Sequence, residues 1–169
     1  MEVTFFEPSC EDKSDLESFG ICDNPPPPHL PAYLSKNIAE KPNWILEIEN
    51  SKRINIQFIA IDNCIDLRKA DGKMESRCDC LITHEDTIVF IELKDRLGRG
   101  WLSKAKLQVE NTISIFERNH NSNIFKHKKV LIANKQRPFF HASFQTIIEE
   151  IKINTGGYIA DVNAKYIVE

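Results

Sequence analysis

The stretch from residue 78 to residue 95 places three ionisable side chains in two otherwise apolar runs, and their types and spacing suit metal chemistry. Asp79 stands at the start of the first run, and Glu92 and Lys94 lie inside the second, IVFIELK. Residues two apart on a strand point to the same face, so Glu92 and Lys94 share one. If the runs pair as an antiparallel hairpin, Asp79 falls opposite Glu92 or Lys94. We therefore expect two carboxylates and an ammonium group to converge near one edge of a sheet.

Two carboxylates held a few ångströms apart repel each other unless a divalent cation takes up their charge. Oxygen ligands of this kind suit Mg²⁺ or Mn²⁺, which is the cofactor we expect. A lysine beside the metal can position or help to deprotonate a water, and can stabilise a phosphorane-like transition state. The alternative is a cross-strand salt-bridge cluster on a solvated face. The apolar character of both faces of residues 88–93 argues against that alternative.

The Asp/Glu-x-Lys spacing by itself carries little information, because it occurs four times in this chain. The four pairs are Glu11–Lys13, Asp71–Lys73, Glu92–Lys94 and Glu150–Lys152. The first lies in an acidic N-terminal segment, the second in a turn around a glycine and the last in a predicted helix. Only Glu92–Lys94 lies on a strongly apolar predicted strand, so the surrounding sequence, and not the motif, carries the signal.

The elements that must position these residues follow from hydrophobic periodicity and turn residues. We predict a short helix over residues 31–41, a hairpin of strands 44–49 and 54–61, and a second hairpin of strands 77–83 and 87–94. A helix over 102–119, a strand over 128–134, a helix over 143–153 and one further strand in the tail complete the prediction. This order of elements indicates an α/β or α+β domain in which helices cover a central mixed sheet.

The N-terminal segment differs in composition from the rest of the chain. Residues 1–24 contain seven acidic side chains and one lysine, whereas the remaining residues carry a net charge of +3. We expect residues 1–28 to form an acidic leader with a polyproline spacer, and residues 29–169 to form the main domain. The mild charge excludes a strongly basic nucleic-acid binder. Because no signal peptide is evident and the five cysteines are an odd number, we expect reduced thiols and a cytoplasmic location.

The order of elements and the motif Asp79…Glu92-Leu93-Lys94 resemble the PD-(D/E)xK superfamily of restriction-endonuclease-like nucleases, over roughly residues 30–135. The resemblance implies an α/β fold with a central mixed four- to five-stranded sheet flanked by helices. It implies that Asp79, Glu92 and the Leu93 carbonyl bind the metal, and that Lys94 acts on the water. Gln108, on the following helix, matches the glutamine that RecB-type and resolvase-type members carry, and would orient the metal shell or the phosphate.

Two positions depart from the pattern of this superfamily. Cys78 stands where the family has its proline, and Glu40 is the nearest candidate for the acidic residue that many members carry on the first helix. Three cations that follow the motif, Arg96, Arg99 and Lys104, are either contacts to a phosphate backbone or part of a solvated turn and helix start.

The resemblance implies a metal-dependent nuclease that hydrolyses phosphodiester bonds, of DNA more than RNA, in repair, restriction or phage defence. The small size, and the lack of a recognisable DNA-binding motif such as a zinc finger or a helix-turn-helix, suggest a homodimer or a subunit of a larger assembly. No stretch approaches the roughly 20 apolar residues that span a bilayer, so we expect no membrane partner. The alternative function is a catalytically inactive, nuclease-like binding module.

Overall fold

The computed structural model describes residues 2–136 and 142–169, and within these ranges ten strands form two sheets. The strands are β1 Glu11–Ser14, β2 Ser18–Cys22, β3 Tyr33–Ser35, β4 Leu46–Glu49, β5 Ile56–Ala60, β6 Cys80–His84, β7 Thr87–Lys94, β8 His127–Asn134, β9 Ile159–Val162 and β10 Lys165–Ile167. The helices are α1 Trp101–Asn119 and α2 Ala142–Asn154, and short 3-10 helices cover Pro8–Cys10, Ile38–Asn43 and Ser122–Ile124.

The larger sheet is mixed and has the order β1-β5-β6-β7-β8-β9. β5, β6 and β7 pair antiparallel, and β7, β8 and β9 pair parallel. Each parallel connection needs a crossover, and α1 and α2 supply the two. The predicted hairpin of β6 and β7, the helix α1, the strand β8 and the helix α2 are all confirmed, to within three residues at each end.

The six-stranded sheet is buried on both faces, which explains the apolar runs of β6 and β7. One face packs against the two helices, where Phe90 of β7 meets Phe116 of α1 at a ring-centroid distance of 5.2 Å. The other face packs against the four-stranded sheet, of order β10-β4-β2-β3. There Val89 and Ile91 share a core with Ile48. The α/β class is thus confirmed, but the sheet has six strands, and a second sheet covers the face where helices were expected.

The N-terminal segment is not a separate leader, which corrects the predicted division at residue 28. β1 pairs antiparallel with β5 at the edge of the large sheet, and β2 pairs with both β3 and β4 in the small sheet. The physical reason is the apolar content of the segment. Phe5 and Phe19 are fully buried, and the ring of Phe5 lies 5.3 Å from that of Phe116. Residues 2–22 are therefore structural parts of both layers.

The predicted hairpin of residues 44–49 and 54–61 is wrong, because its two strands belong to different sheets. β4 pairs with β2 and β10, whereas β5 pairs with β1 and β6. Asn50 makes the transition between the sheets. Its fully buried amide accepts from the Ile54 N–H and donates to the Ile54 carbonyl, which fixes the turn that carries the chain from one layer to the other.

Three smaller predictions are also corrected. Residues 31–41 do not form a helix but contain β3 and the start of the 3-10 helix Ile38–Asn43, in which the Asn37 side chain caps the Ala39 N–H. The tail supplies two strands instead of one. The expectation of five reduced cysteines is wrong, since Cys10 and Cys64 form a disulfide, while the other three thiols are free and buried. Within the described residues, no helix is long and apolar enough to cross a membrane.

Gly20 on β2 tests whether the N-terminal segment is integral to the fold. A Cβ atom at this position would overlap the indole ring of Trp44. We expect Gly20→Ala to lower the free energy of unfolding by about 1–3 kcal/mol, the usual cost of overpacking a core, as measured by urea denaturation. Gly98→Ala is the control, because its Cβ meets nothing within 4 Å. Equal stability of both variants would show that β2 does not pack as described.

Candidate active site

The hairpin of β6 and β7 brings the two carboxylates of the motif together. Cys80 pairs with Ile91 across the ladder, so Asp79, one residue before β6, lies beside Glu92 on β7. The Asp79 Oδ2 atom accepts a hydrogen bond of 2.7 Å from the Leu93 N–H. The carbonyl of Asp79 accepts from the Ile61 N–H at 2.8 Å. Hydrogen bonds therefore fix both the side-chain carboxylate and the backbone carbonyl of Asp79. The predicted proximity of Asp79 and Glu92 is present in the structure.

Lys94 connects the strand to the helix that follows it. Its Nζ atom lies 2.7 Å from Glu92 Oε1 and donates, also at 2.7 Å, to Gln108 Oε1 on α1. The side chain of Lys94 is 12% exposed and that of Glu92 is 2% exposed. This is a buried ion pair near an opening, and not a pair on a solvated face. The solvated salt-bridge cluster is thus a poor description of these residues.

Gln108 is fixed at both ends of its amide. Its Oε1 atom accepts from Lys94, and its Nε2 atom donates to the Arg77 carbonyl at 3.2 Å. One turn later on α1, Thr112 accepts a hydrogen bond of 2.8 Å from the Cys78 N–H. A proline at position 78 would lack this N–H group. The amide of Cys78 therefore ties the start of β6 to α1, a contact that a proline here would not make.

The two carboxylates are held close together in a dry environment. Burial raises the pKa of Asp79 to about 7, the hydrogen bond from Leu93 opposes that shift, and the nearby charges of Asp23 and Asp62 add to it. Burial also raises the pKa of Glu92, with Asp79 as the next cause and Lys94 opposing. In the described part of the chain, no donor group reaches the buried Glu92 Oε2 atom, and a side-chain hydrogen bond shared with Asp79 adds to the rise in the pKa of Glu92. This oxygen needs a proton or a cation.

Two further carboxylates, Asp62 and Asp23, lie close enough to the site for their charges to act on Asp79. Asp62 follows β5, and its Oδ1 atom lies 2.7 Å from Arg77 Nη2. Asp23 follows β2, and its charge raises the pKa of Asp79. Burial, and after it the charge of Asp62, raises the pKa of Asp23 itself. Asp23 reaches the site only because β2 belongs to the second sheet, which is a non-local pairing. Glu40 instead accepts from Ser35 Oγ at 2.8 Å, and is not hydrogen-bonded to either motif carboxylate in the described ranges.

The donor set is compatible with a hard divalent cation, although it is small. Asp79 and Glu92 supply carboxylate oxygens, and Glu92 Oε2, which no donor group of the described residues reaches, can be satisfied by a cation or by a proton shared with Asp79. Among residues 2–136 and 142–169, no group of three or more His, Cys, Asp or Glu side chains is arranged to hold a metal. A cation at Asp79 and Glu92 would therefore take its remaining ligands from backbone carbonyls or water, as Mg²⁺ commonly does.

The predicted nucleic-acid contacts lie on the solvent side of the same site. Arg96, Arg99 and Lys104 line one cavity with Lys94. Trp101 lines it too, and its ring meets that of Phe144 edge-on at 5.9 Å, so it anchors the start of α1 against α2.

Comparison of the chain with protein-family models, with curated proteins and with solved structures finds no significant match.

The raised pKa of Asp79 predicts how the metal-free protein responds to pH. Its carboxyl group has an ordinary pKa of 3.8 and a pKa of about 7 in the fold. Between these values the folded state keeps a proton that the unfolded state has lost, so this group lowers stability as the pH rises from about 4 to about 7. Asn at this position does not titrate, and its oxygen still accepts from Leu93. The melting temperature of Asp79→Asn, in a chelator, should thus rise relative to the parent protein across this window.

The matched control is Asp161→Asn, which changes an exposed carboxylate on β9. The difference in melting temperature between Asp161→Asn and the parent protein should stay nearly constant over the same pH range. A constant difference for Asp79→Asn as well would mean that the Asp79 carboxylate is not held in a dry, acidic environment.

Proposed function

We propose that this protein is a metal-dependent nuclease that hydrolyses phosphodiester bonds, with DNA as the preferred substrate, on a restriction-endonuclease-like variant of the α/β fold. The observation that carries the proposal is the chain of contacts from Glu92 through Lys94 to Gln108, beside Asp79 and the Glu92 Oε2 atom, which no donor group of the described residues reaches. These are the residue types and positions that the PD-(D/E)xK resemblance assigns to the site. Repair, restriction or phage defence remains the proposed setting.

Asp79 and Glu92 would hold Mg²⁺ or Mn²⁺, which supplies Lewis-acid polarisation of the phosphate and a lowered pKa for a bound water. The protein provides the fixed frame. The backbone N–H of Leu93 orients Asp79, and the ammonium of Lys94 orients Glu92. Because both carboxylates are buried, they favour neutralisation by a cation over exposure to water.

Lys94 is suited to act on the attacking water and on the phosphate. A lysine ammonium has three N–H donors. Two are directed at Glu92 Oε1 and Gln108 Oε1, which leaves one for a water or a phosphate oxygen. Gln108, held by the Arg77 carbonyl, sets the direction of that third donor. Such a preorganised donor stabilises charge that develops in a transition state, because it needs no reorganisation during the reaction.

The small set of carboxylates and the size of the domain agree with a protein that works as a homodimer or within a larger assembly. The reason is the overall charge, because a protein with a net charge of −3 has little general attraction to nucleic acid. A second copy or a partner would add the missing contact surface.

The direct test is cleavage of labelled single-stranded and double-stranded DNA, and of the matching RNA, with Mg²⁺, Mn²⁺ or EDTA. We expect metal-dependent cleavage that falls at least about 100-fold in Glu92→Ala and in Lys94→Ala, the scale seen when a charge-stabilising group is removed from an active site. Circular dichroism of each variant, together with the near-isosteric Glu92→Gln, separates loss of chemistry from loss of fold.

The chain offers a matched control with the same spacing. Glu150 and Lys152 also form a Glu-x-Lys pair, but on α2, where Glu150 contacts Lys106 at the surface. Glu150→Ala and Lys152→Ala should retain full activity. If the protein cleaves nothing and metal does not raise its melting temperature, the nuclease proposal fails and the binding module takes its place, because a ligand of the folded state must stabilise it.

A further inference from the structure

A cavity of about 390 Å³ opens directly beside Lys94, between the end of β7 and the start of α1. It is lined by Lys94, Arg96, Gly98, Arg99, Gly100, Trp101 and Lys104. Four of these seven residues are cationic and none is acidic. The volume lies near the lower end of the roughly 300–1,000 Å³ typical of small-molecule sites. The cavity therefore has room for a phosphate group or a nucleotide unit, but not for a duplex.

Lys94 pairs with Glu92, but the protein does not neutralise the other three cations that line this cavity. In the described part of the chain, Arg96, Arg99 and Lys104 form no ion pair. Lys106, two residues further along α1, behaves differently, since it pairs with Glu110 at 3.2 Å and with Glu150 at 3.7 Å. The structure thus neutralises the cation that faces α2 and leaves three of the cations around the cavity, Arg96, Arg99 and Lys104, without an ion partner.

The backbone adds to the same field. α1 begins at Trp101, and its N-cap Gly100 has φ 83° and no side chain to accept from the first N–H groups of the helix. The first turn of α1 contains no acidic residue. The positive end of a 19-residue helix therefore points toward a cavity that already holds four cations.

The loop that carries these cations is held in place at its root. Asn134, which is 4% exposed, accepts from the Arg96 N–H at 3.2 Å and donates to the Arg96 carbonyl at 2.8 Å. The Lys135 N–H donates to the Lys94 carbonyl at 2.8 Å. The ring contact of Trp101 with Phe144 fixes the other end. The cavity is therefore formed by anchored backbone, not by a chance approach of long side chains.

We propose that this cavity is a subsite for a terminal phosphomonoester of a nucleic-acid strand. The inference rests on the proposed nuclease function and names its substrate class, a strand with a phosphorylated end next to the bond that is cut. A terminal phosphate carries a charge of about −1.5 to −2 and three acceptor oxygens, whereas an internal diester carries a single charge. Three cations without an ion partner, the ammonium of Lys94 and a helix N-terminus around one concavity match the dianion better. Lys94, which belongs to both sites, places this phosphate adjacent to Glu92 and Asp79.

The test measures binding separately from cleavage. Fluorescence anisotropy in EDTA would compare short single-stranded DNA with a 5′-phosphate, with a 3′-phosphate and with hydroxyl groups at both ends, at fixed salt. We expect one phosphorylated end to bind at least tenfold more tightly than the hydroxyl-ended strand. Arg99→Ala and Lys104→Ala should each reduce that preference several-fold. Arg118→Ala, at the other end of α1, is the control and should retain it, and melting curves verify that each variant is folded.

A cleavage assay with Mg²⁺ or Mn²⁺ then compares the same linear strands with a circular strand of equal composition. Preference for the phosphorylated end, and resistance of the circle, support the subsite. Equal affinity for phosphorylated and hydroxyl ends overturns the subsite, and this result leaves the nuclease proposal intact if all strands are cut. Failure to cut any strand, with a retained binding preference, instead overturns the nuclease and keeps the phosphate subsite. The two failures are therefore distinct.

Discussion

The burial of the Glu92 carboxylate is the constraint on which the rest of this structure depends. An unpaired charge in a protein interior costs several kcal/mol, so the group must be paired, protonated or bound to a cation. Lys94 pairs one oxygen at 2.7 Å, and no donor group of the described residues reaches the other oxygen. The charge of the neighbouring Asp79 further raises the pKa of Glu92. A chain under selection for stability alone would place an apolar residue at position 92. The retained carboxylate is the strongest sign of chemistry.

The two-layered fold is what keeps this carboxylate dry. β7 is an inner strand of the six-stranded sheet, with helices on one face and the four-stranded sheet on the other. That second sheet draws its strands from both ends of the chain, since β2 and β10 flank β4. The N-terminal segment also delivers Asp23 to the site and, through the disulfide of Cys10 with Cys64, holds the loop that carries Asp62. The termini therefore shape the electrostatics of the centre.

Local pattern was sufficient for the part of the fold that carries the motif. β6, β7, α1 and β8 follow one another along the chain, and the apolar periodicity of each predicts both its type and its neighbour. The proximity of Asp79, Glu92 and Lys94 was predictable for this reason, whereas Gln108 was singled out by the family resemblance. Which of the two sheets each strand joins was not predictable in the same way, because it depends on pairs of residues far apart in sequence, such as Lys165 with Glu47. Asn50 shows the difficulty, since a polar turn residue favours a hairpin, yet its buried amide directs the chain into the other sheet.

The distribution of charge around Lys94 divides the region into two parts that favour ligands of opposite charge. On one side, Asp79 and Glu92 with Asp23 and Asp62 nearby create a negative field that attracts a cation. On the other side, the cations and the N-terminus of α1 create a positive field that attracts an anion. A metal ion alone would satisfy only the first, and a phosphate alone only the second. A phosphorylated strand with a divalent cation satisfies both at once, and the single ammonium of Lys94 stands where the two fields meet.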